Sequence, residues 1–145
     1  MQPIMFDQYF DDWEVKPKFD KEYISLWSGW LGRENLHLLD QVTEEEWSRF
    51  NSFLSTISRK YKIGTVDCNS HIVTFPDDIE STLSGYADSM DKDSSLFSKY
   101  IIPEIECVIT EEEDYTYILW HKNNGAVEAL IPHILGSNLL HFSDQ

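Results

Sequence analysis

Five histidines, two cysteines and 26 carboxylates are the side chains with which this sequence could do chemistry, and their spacing decides which kind. His37, His71, His121, His133 and His141 fall into no HExxH, HxH or Cys/His ligand pattern, so a transition-metal centre would have to be assembled from distant positions. Each reads as an ordinary surface or core histidine. Cys68 and Cys107 are too few and too far apart for a CxxC zinc site or a disulfide framework. They read as small apolar side chains, with a single bond between them left open. A cysteine–histidine nucleophile pair can be drawn, but every chain with two cysteines and five histidines offers one. Pro76-Asp77 and Glu14-Val15-Lys16 supply fragments of a metal-dependent nuclease in the wrong order, and beyond residue 73 only Lys92, Lys99 and Lys122 would hold its substrate. The 6 glycines form neither GxGxxG nor GxxxxGK, so no loop lets backbone amides approach a phosphate. The expectation is a protein that is not an enzyme and needs no metal or other cofactor.

The carboxylates carry more information. Against 26 acids stand 11 basic residues, a formal charge of −15 that repels phosphate backbones and anionic membrane surfaces. Residues 1–72 carry −4 and residues 73–145 carry −11. Two clusters in the second half work against local stability. Asp88, Asp91 and Asp93 fall at the C-terminal end of an expected helix, where the dipole prefers cations, and only Lys92 offsets them. Glu111, Glu112, Glu113 and Asp114 place four like charges at the tip of an expected hairpin. Solvation and salt screening would make such clusters tolerable without any purpose. The functional alternative is a preorganised anionic surface whose repulsion is relieved when a basic partner docks, with fast, steered association.

The elements that must position these groups follow from periodicity. Residues 1–19, with Phe6, Tyr9, Phe10, Trp13 and Phe19 among acids, read as an extended or irregular aromatic arm. Tyr23, Leu26, Trp27 and Trp30 recur at helical intervals from an Asp20 N-cap to Gly32 and predict a short amphipathic helix. Leu36, Leu38 and Leu39 form a brief apolar segment, a strand or the tail of that helix. Thr43-Glu44-Glu45-Glu46 reads as a capping box, followed by a stripe of Trp47, Phe50, Leu54, Ile57 and Tyr61. Arg59, Lys60 and Lys62 would complement the end of this helix and Gly64 would stop it. A strand over 71–75, a helix from about Asp77 to Met90, extended runs over 96–102 and 105–110, and a strand over 115–120 follow. A last helix starts at Asn124-Gly125, tolerates Pro132 and stops at Gly136, with a final strand over 139–142. The aromatics Tyr9, Phe10, Trp13, Trp27 and Trp30 suit either a core or the anchors of an interface.

This pattern predicts one α+β domain over residues 1–145, arm included, with an antiparallel or mixed sheet and several helices packed mainly on one side. No basic leader and no apolar run of spanning length occurs, so a cytoplasmic protein is expected. The acidic profile, the Trp-rich first third and the hairpin Glu111-Glu112-Glu113-Asp114-Tyr115-Thr116-Tyr117-Ile118 resemble the small acidic immunity proteins of bacterial contact-dependent inhibition and related polymorphic toxin systems. That resemblance implies a cytoplasmic inhibitor. Its partner would be a basic protein, the C-terminal nuclease domain of a secreted toxin, whose active site or substrate groove it blocks without touching nucleic acid or membrane. Asp88, Asp91, Asp93, Glu111, Glu112, Glu113 and Asp114 are the candidate partner-binding residues. The alternatives of other classes are a DNA-mimic inhibitor of a restriction or CRISPR-type protein, and a small enzyme with an unrecognised site.

Overall fold

The computed structural model describes residues 5–83, 85–86, 97–112 and 115–143. A short helix α1 (Met5–Tyr9) leads into a two-stranded hairpin, β1 (Phe10–Asp11) and β2 (Glu14–Val15). There follow β3 (Asp20–Ser25), a 3-10 segment (Arg33–Gln41), α2 (Glu44–Ser58), β4 (Gly64–Asp67), β5 (Ile72–Thr74) and a 3-10 turn (Ile79–Thr82). The chain ends through β6 (Lys99–Ile102), β7 (Cys107–Glu112), β8 (Thr116–His121), α3 (Asn124–Gly136) and β9 (Leu140–Phe142). Seven strands form one antiparallel sheet in the order β5-β4-β6-β7-β8-β3-β9. The architecture is α+β.

Side chains alternate across this sheet, and both of its faces are apolar in the centre. On one face Ile24, Tyr100, Ile102, Cys107, Ile109, Tyr117 and Leu119 pack under α2 and α3, which contribute Phe50, Phe53, Leu54, Ile57, Val127, Leu130 and Ile134. On the other face Ile101 and Val108 lie under Phe6, Tyr9, Phe10 and Phe19, with Val66, Val73 and Trp120 packed against them. The N-terminal segment, expected to be an irregular arm, is therefore a structural cover. Its rings stack on one another and on the sheet-edge His71, whose ring lies 4.4 Å from that of Phe6.

α2 forms where its capping box predicts: the Thr43 hydroxyl accepts from the Glu46 N–H, and the Glu46 carboxylate accepts from the Thr43 N–H. Its end differs. No basic residue lies in the last turn, and Gly64 does not stop the helix but opens β4. A Cβ on Gly64 would sit 2.7 Å from Val73 Cγ1 and 2.9 Å from Phe75 Cε1, so that position is glycine because side chains from the end of β5 close on it. Arg59 reaches toward Glu80, while Lys60 and Lys62 lie over the rings of Tyr61 and Phe75.

One predicted helix is replaced at its start by a strand. Residues 20–25 form a strand because they are held between β8 and β9, where Tyr23, Ile24 and Ser25 are buried on the two sheet faces; tertiary pairing overrides the helical spacing. Of the segment predicted as a helix from about Asp77 to Met90, the described residues form a 3-10 turn over Ile79–Thr82, an extended Leu83 and a helical Tyr86, while residues 84 and 87–90 lie outside the described residues. Asp78 caps the Glu80 N–H, and the hydroxyls of Ser81 and Thr82 donate to the carbonyls of Asp78 and Ile79, local bonds that compete with helix propagation. Leu36, Leu38 and Leu39 belong to the 3-10 segment rather than to a strand. α3 carries Pro132 in its interior, as expected, but the left-handed residue after it is Asn138, not Gly136.

Cys68 and Cys107 are buried and unpaired. Burial pushes the Cys107 thiol up to about 12, with Glu106 adding to the shift. A thiol that ionises less readily folded than unfolded holds its proton in the native state, so stability falls as pH rises from 9.0 toward that value. Chemical denaturation between pH about 8 and about 10 should show this loss, and Cys107→Ala should flatten it. Gly64→Ala should lower stability by about 1–3 kcal/mol, read as a lower melting temperature, because Val73 is stiff at χ1 and cannot yield cheaply.

Candidate protein-binding surface

The β7–β8 hairpin carries the acidic stretch, and the pleat separates its charges. Register pairs Glu111 with Tyr117 and Glu112 with Thr116, so the two neighbouring carboxylates point to opposite faces of the sheet. Glu111 turns to the helix side and accepts from the Ser98 N–H at 2.8 Å. Glu112 is exposed on the other side and accepts from the Thr110 hydroxyl at 2.8 Å, which in turn accepts from the Trp120 indole N–H at 2.9 Å. The repulsion expected between these two neighbours is thus relieved by alternation and by hydrogen bonds. Glu113, Asp114, Asp88, Asp91 and Asp93 lie outside the described residues.

The same end of the sheet gathers aromatic rings. Ser25, buried at the end of β3, donates its hydroxyl to the Tyr115 carbonyl at 3.2 Å and accepts from the Trp27 N–H at 3.3 Å. This one hydroxyl ties the segment after β3 to the hairpin, and Trp27 meets Tyr115 edge to face with 6.4 Å between centroids. Trp47, in the first turn of α2, makes a second edge-to-face pair with Tyr86 at 5.5 Å. Tyr115 feels both Tyr86 and Asp40: burial, then these two neighbours, raise its hydroxyl pKa. All four rings are half-buried, and Asp40, Glu44 and Glu112 are exposed. Glu44 stands three residues before Trp47, on the same side of the helix.

Trp30 marks the adjacent edge of this surface. It stands 59% exposed over Tyr23 and Phe142, at 4.7 and 5.0 Å, where the N-terminal cover no longer reaches the sheet. Trp13 is 41% exposed on the far side of the cover, with Lys99 over its ring. Of the aromatics that suited either core or interface, Tyr9 and Phe10 are core, while Trp13, Trp27 and Trp30 reach solvent. Trp47, expected on the core stripe of α2, and Tyr115, expected within a strand, are the surface rings that periodicity could not separate from core.

Elsewhere a depression of about 460 Å³ opens beside Trp13, Ser98, Lys99 and Tyr100. Its carboxylate, Asp67, accepts from the N–H groups of Asn69 and Ser70 and so holds a turn. Among the described residues no three His, Cys, Asp or Glu side chains are grouped to hold a metal ion, and no helix is long and apolar enough to cross a membrane. No family model, no curated protein and no solved structure matches the chain.

Tyr115 shares one backbone feature with Asp12, His71, Glu106 and Asn138. Its φ is +55°, in the left-handed region where a bulky side chain is rare and costs roughly 1 kcal/mol. A glycine there would relieve that cost while removing the ring. Tyr115→Gly should therefore unfold within about 1 kcal/mol of the parent in urea, yet lose partner binding if the ring is kept for recognition.

Proposed function

We propose that this chain is an inhibitory binding protein of the immunity type, acting in the cytoplasm on a basic protein partner, the nuclease domain of a bacterial toxin. The observation that carries this reading is the coincidence, around the hairpin end of the sheet, of four half-buried aromatic rings with the exposed carboxylates Asp40, Glu44 and Glu112. Interfaces concentrate affinity in a few aromatic anchors near the centre and leave charge to the rim, where it steers encounter. A nuclease presents a basic groove to its nucleic acid. An inhibitor of charge −15 meets the same field, and its rings supply the desolvated centre that charge alone lacks.

In this reading Asp40, Glu44 and Glu112 form the described part of the rim, with Asp88, Asp91, Asp93, Glu113 and Asp114 as further acids of the same role. Glu111 supports the hairpin from the helix side. The partner is sought in the neighbouring reading frame, as a large secreted protein with a basic C-terminal domain.

Co-expression of that domain with this chain should restore growth, and the pair should stay together at ~0.15 M salt, where surface fields are screened beyond ~8 Å. Glu112→Gln should slow association severalfold and weaken its salt dependence, whereas Trp27→Ala should speed dissociation by roughly 30-fold, the effect of an anchor worth about 2 kcal/mol. Absence of capture and rescue sinks the proposal. Capture of several unrelated DNA-binding proteins that wash off in salt would replace it with DNA mimicry.

A further inference from the structure

Two lysine side chains meet over one ring at the start of β3. Lys122 Nζ lies 5.4 Å and Lys18 Nζ 5.8 Å from the centroid of Phe19, and the two amines are within hydrogen-bond reach of each other. The backbone brings them there. Asp20 pairs with His121, so Phe19 and Lys122 adjoin where the β3–β8 ladder ends. Lys18 is delivered by a tight turn: the Phe19 N–H donates to the Lys16 carbonyl at 3.2 Å, the Lys16 N–H donates to the Tyr9 carbonyl at 2.9 Å, and Pro17 fixes the first central φ. The Phe19 ring beneath them is packed in the second core and cannot swing aside.

The lysines gathered here differ in what balances them. Lys16 pairs with Asp11 at 2.6 Å and Lys122 with Glu106 at 3.0 Å. Among the described residues no carboxylate lies within ion-pair distance of Lys18, whose close neighbour is another amine. Loss of water, the charge of Lys122, the hydrogen bond with it and the charge of Lys16 pull the Lys18 pKa below the ordinary lysine value, and Glu106 opposes them. The Lys122 pKa moves the other way, first through its hydrogen bond to Glu106. Of the two, Lys122 therefore keeps its proton and Lys18 carries the larger share of free amine, the nucleophilic form.

We propose that Lys18 is a modification site for carbon dioxide, its amine forming a carbamate that the Lys122 ammonium holds. The Nζ lone pair attacks the carbon of carbon dioxide, an N–C bond forms as one C–O π bond breaks, and nitrogen gives a proton to water. The product is an anion where the protonated amine was a cation. An ammonium that repels the Lys18 cation attracts the carbamate through a charge-assisted hydrogen bond, so Lys122 favours both the reactive amine and its adduct. Lys18 is exposed, which leaves its amine open to a dissolved gas. The proposal goes beyond the inhibitor reading and needs no partner.

The test equilibrates the full chain with carbon-13 bicarbonate near neutral pH, fixes adducts by alkylation with a trialkyloxonium salt, and reads each lysine by peptide mass spectrometry. Lys18 should carry severalfold more adduct than the exposed Lys21, Lys60 and Lys62, and this preference should vanish when the chain is unfolded in urea. Lys122→Gln should lower Lys18 occupancy about tenfold, the scale on which a charge at hydrogen-bond reach biases an equilibrium, while Lys122→Arg should keep most of it. Unchanged melting temperatures would show that the variants are folded. Lys18 occupancy no higher than that of the other exposed lysines, a preference that survives in urea, or indifference to Lys122→Gln would overturn the proposal.

Discussion

The central strands are apolar on both faces, and the rest of the molecule follows from covering them. Val108 and Ile109 are neighbours in β7, both fully buried, yet they face opposite sides of the sheet. Ile101 and Ile102 repeat the arrangement in β6. A sheet of this kind cannot leave one face to water, because each such side chain contributes roughly 1.5–3 kcal/mol only when it is removed from solvent. The helices α2 and α3 cover one face. On the other, no helix of comparable length packs among the described residues, and residues 5–19 serve instead, through four large rings that are each at most 5% exposed.

That second cover is short, and its shortness makes the surface. It reaches Val108 and Trp120 but leaves the part of the face formed by β3 and β9 to the segment that follows Ser25. Trp30 folds back over Tyr23 and Phe142, while Trp27 turns the other way onto the hairpin. A chain that had only to bury its sheet would gain little from leaving Trp30 more than half exposed, since the hydrophobic contribution scales with the area hidden. Exposed aromatic area next to charge is what interfaces use.

Much of this was legible in the sequence where the cause is local. The Thr43 capping box, the antiparallel pairing of the strands on either side of the acidic stretch and the helix expected from Asn124-Gly125 depend on residues adjacent in the chain, and each forms, although β7 runs on through Glu111 and Glu112 where the hairpin tip was expected. What was illegible depends on distant partners. The spacing of Tyr23, Leu26, Trp27 and Trp30 fits a helix perfectly well, and only pairing with β8 and β9, about 100 residues away in the chain, makes the first of them a strand residue. Gly64 looks like a helix stop until Val73 and Phe75 close over it. The acids Glu111 and Glu112 look like a repelling pair until a register assigns them to opposite faces. For the surface, sequence located the acidic hairpin and the candidate aromatics but not their meeting, because Ser25, Trp27, Trp47, Tyr86 and Tyr115 come from four separate segments.

Charge and packing divide the work between them in this protein. A field of −15 acts at a distance of several ångströms and is indifferent to which carboxylate produces it, so it can bring many basic surfaces near and choose among none. Choice needs groups that touch. The hydrogen-bonded sequence from Trp120 through Thr110 to Glu112 fixes one exposed carboxylate relative to the second core, and the Ser25 hydroxyl fixes Trp27 relative to the hairpin. Both depend on side chains that the sheet itself buries: Thr110 is 3% exposed and Ser25 is 2% exposed. Rigid polar anchors beneath a half-exposed aromatic surface are the condition under which long-range attraction becomes selective, because a partner of the right charge but the wrong shape would have to displace bonds that are already made.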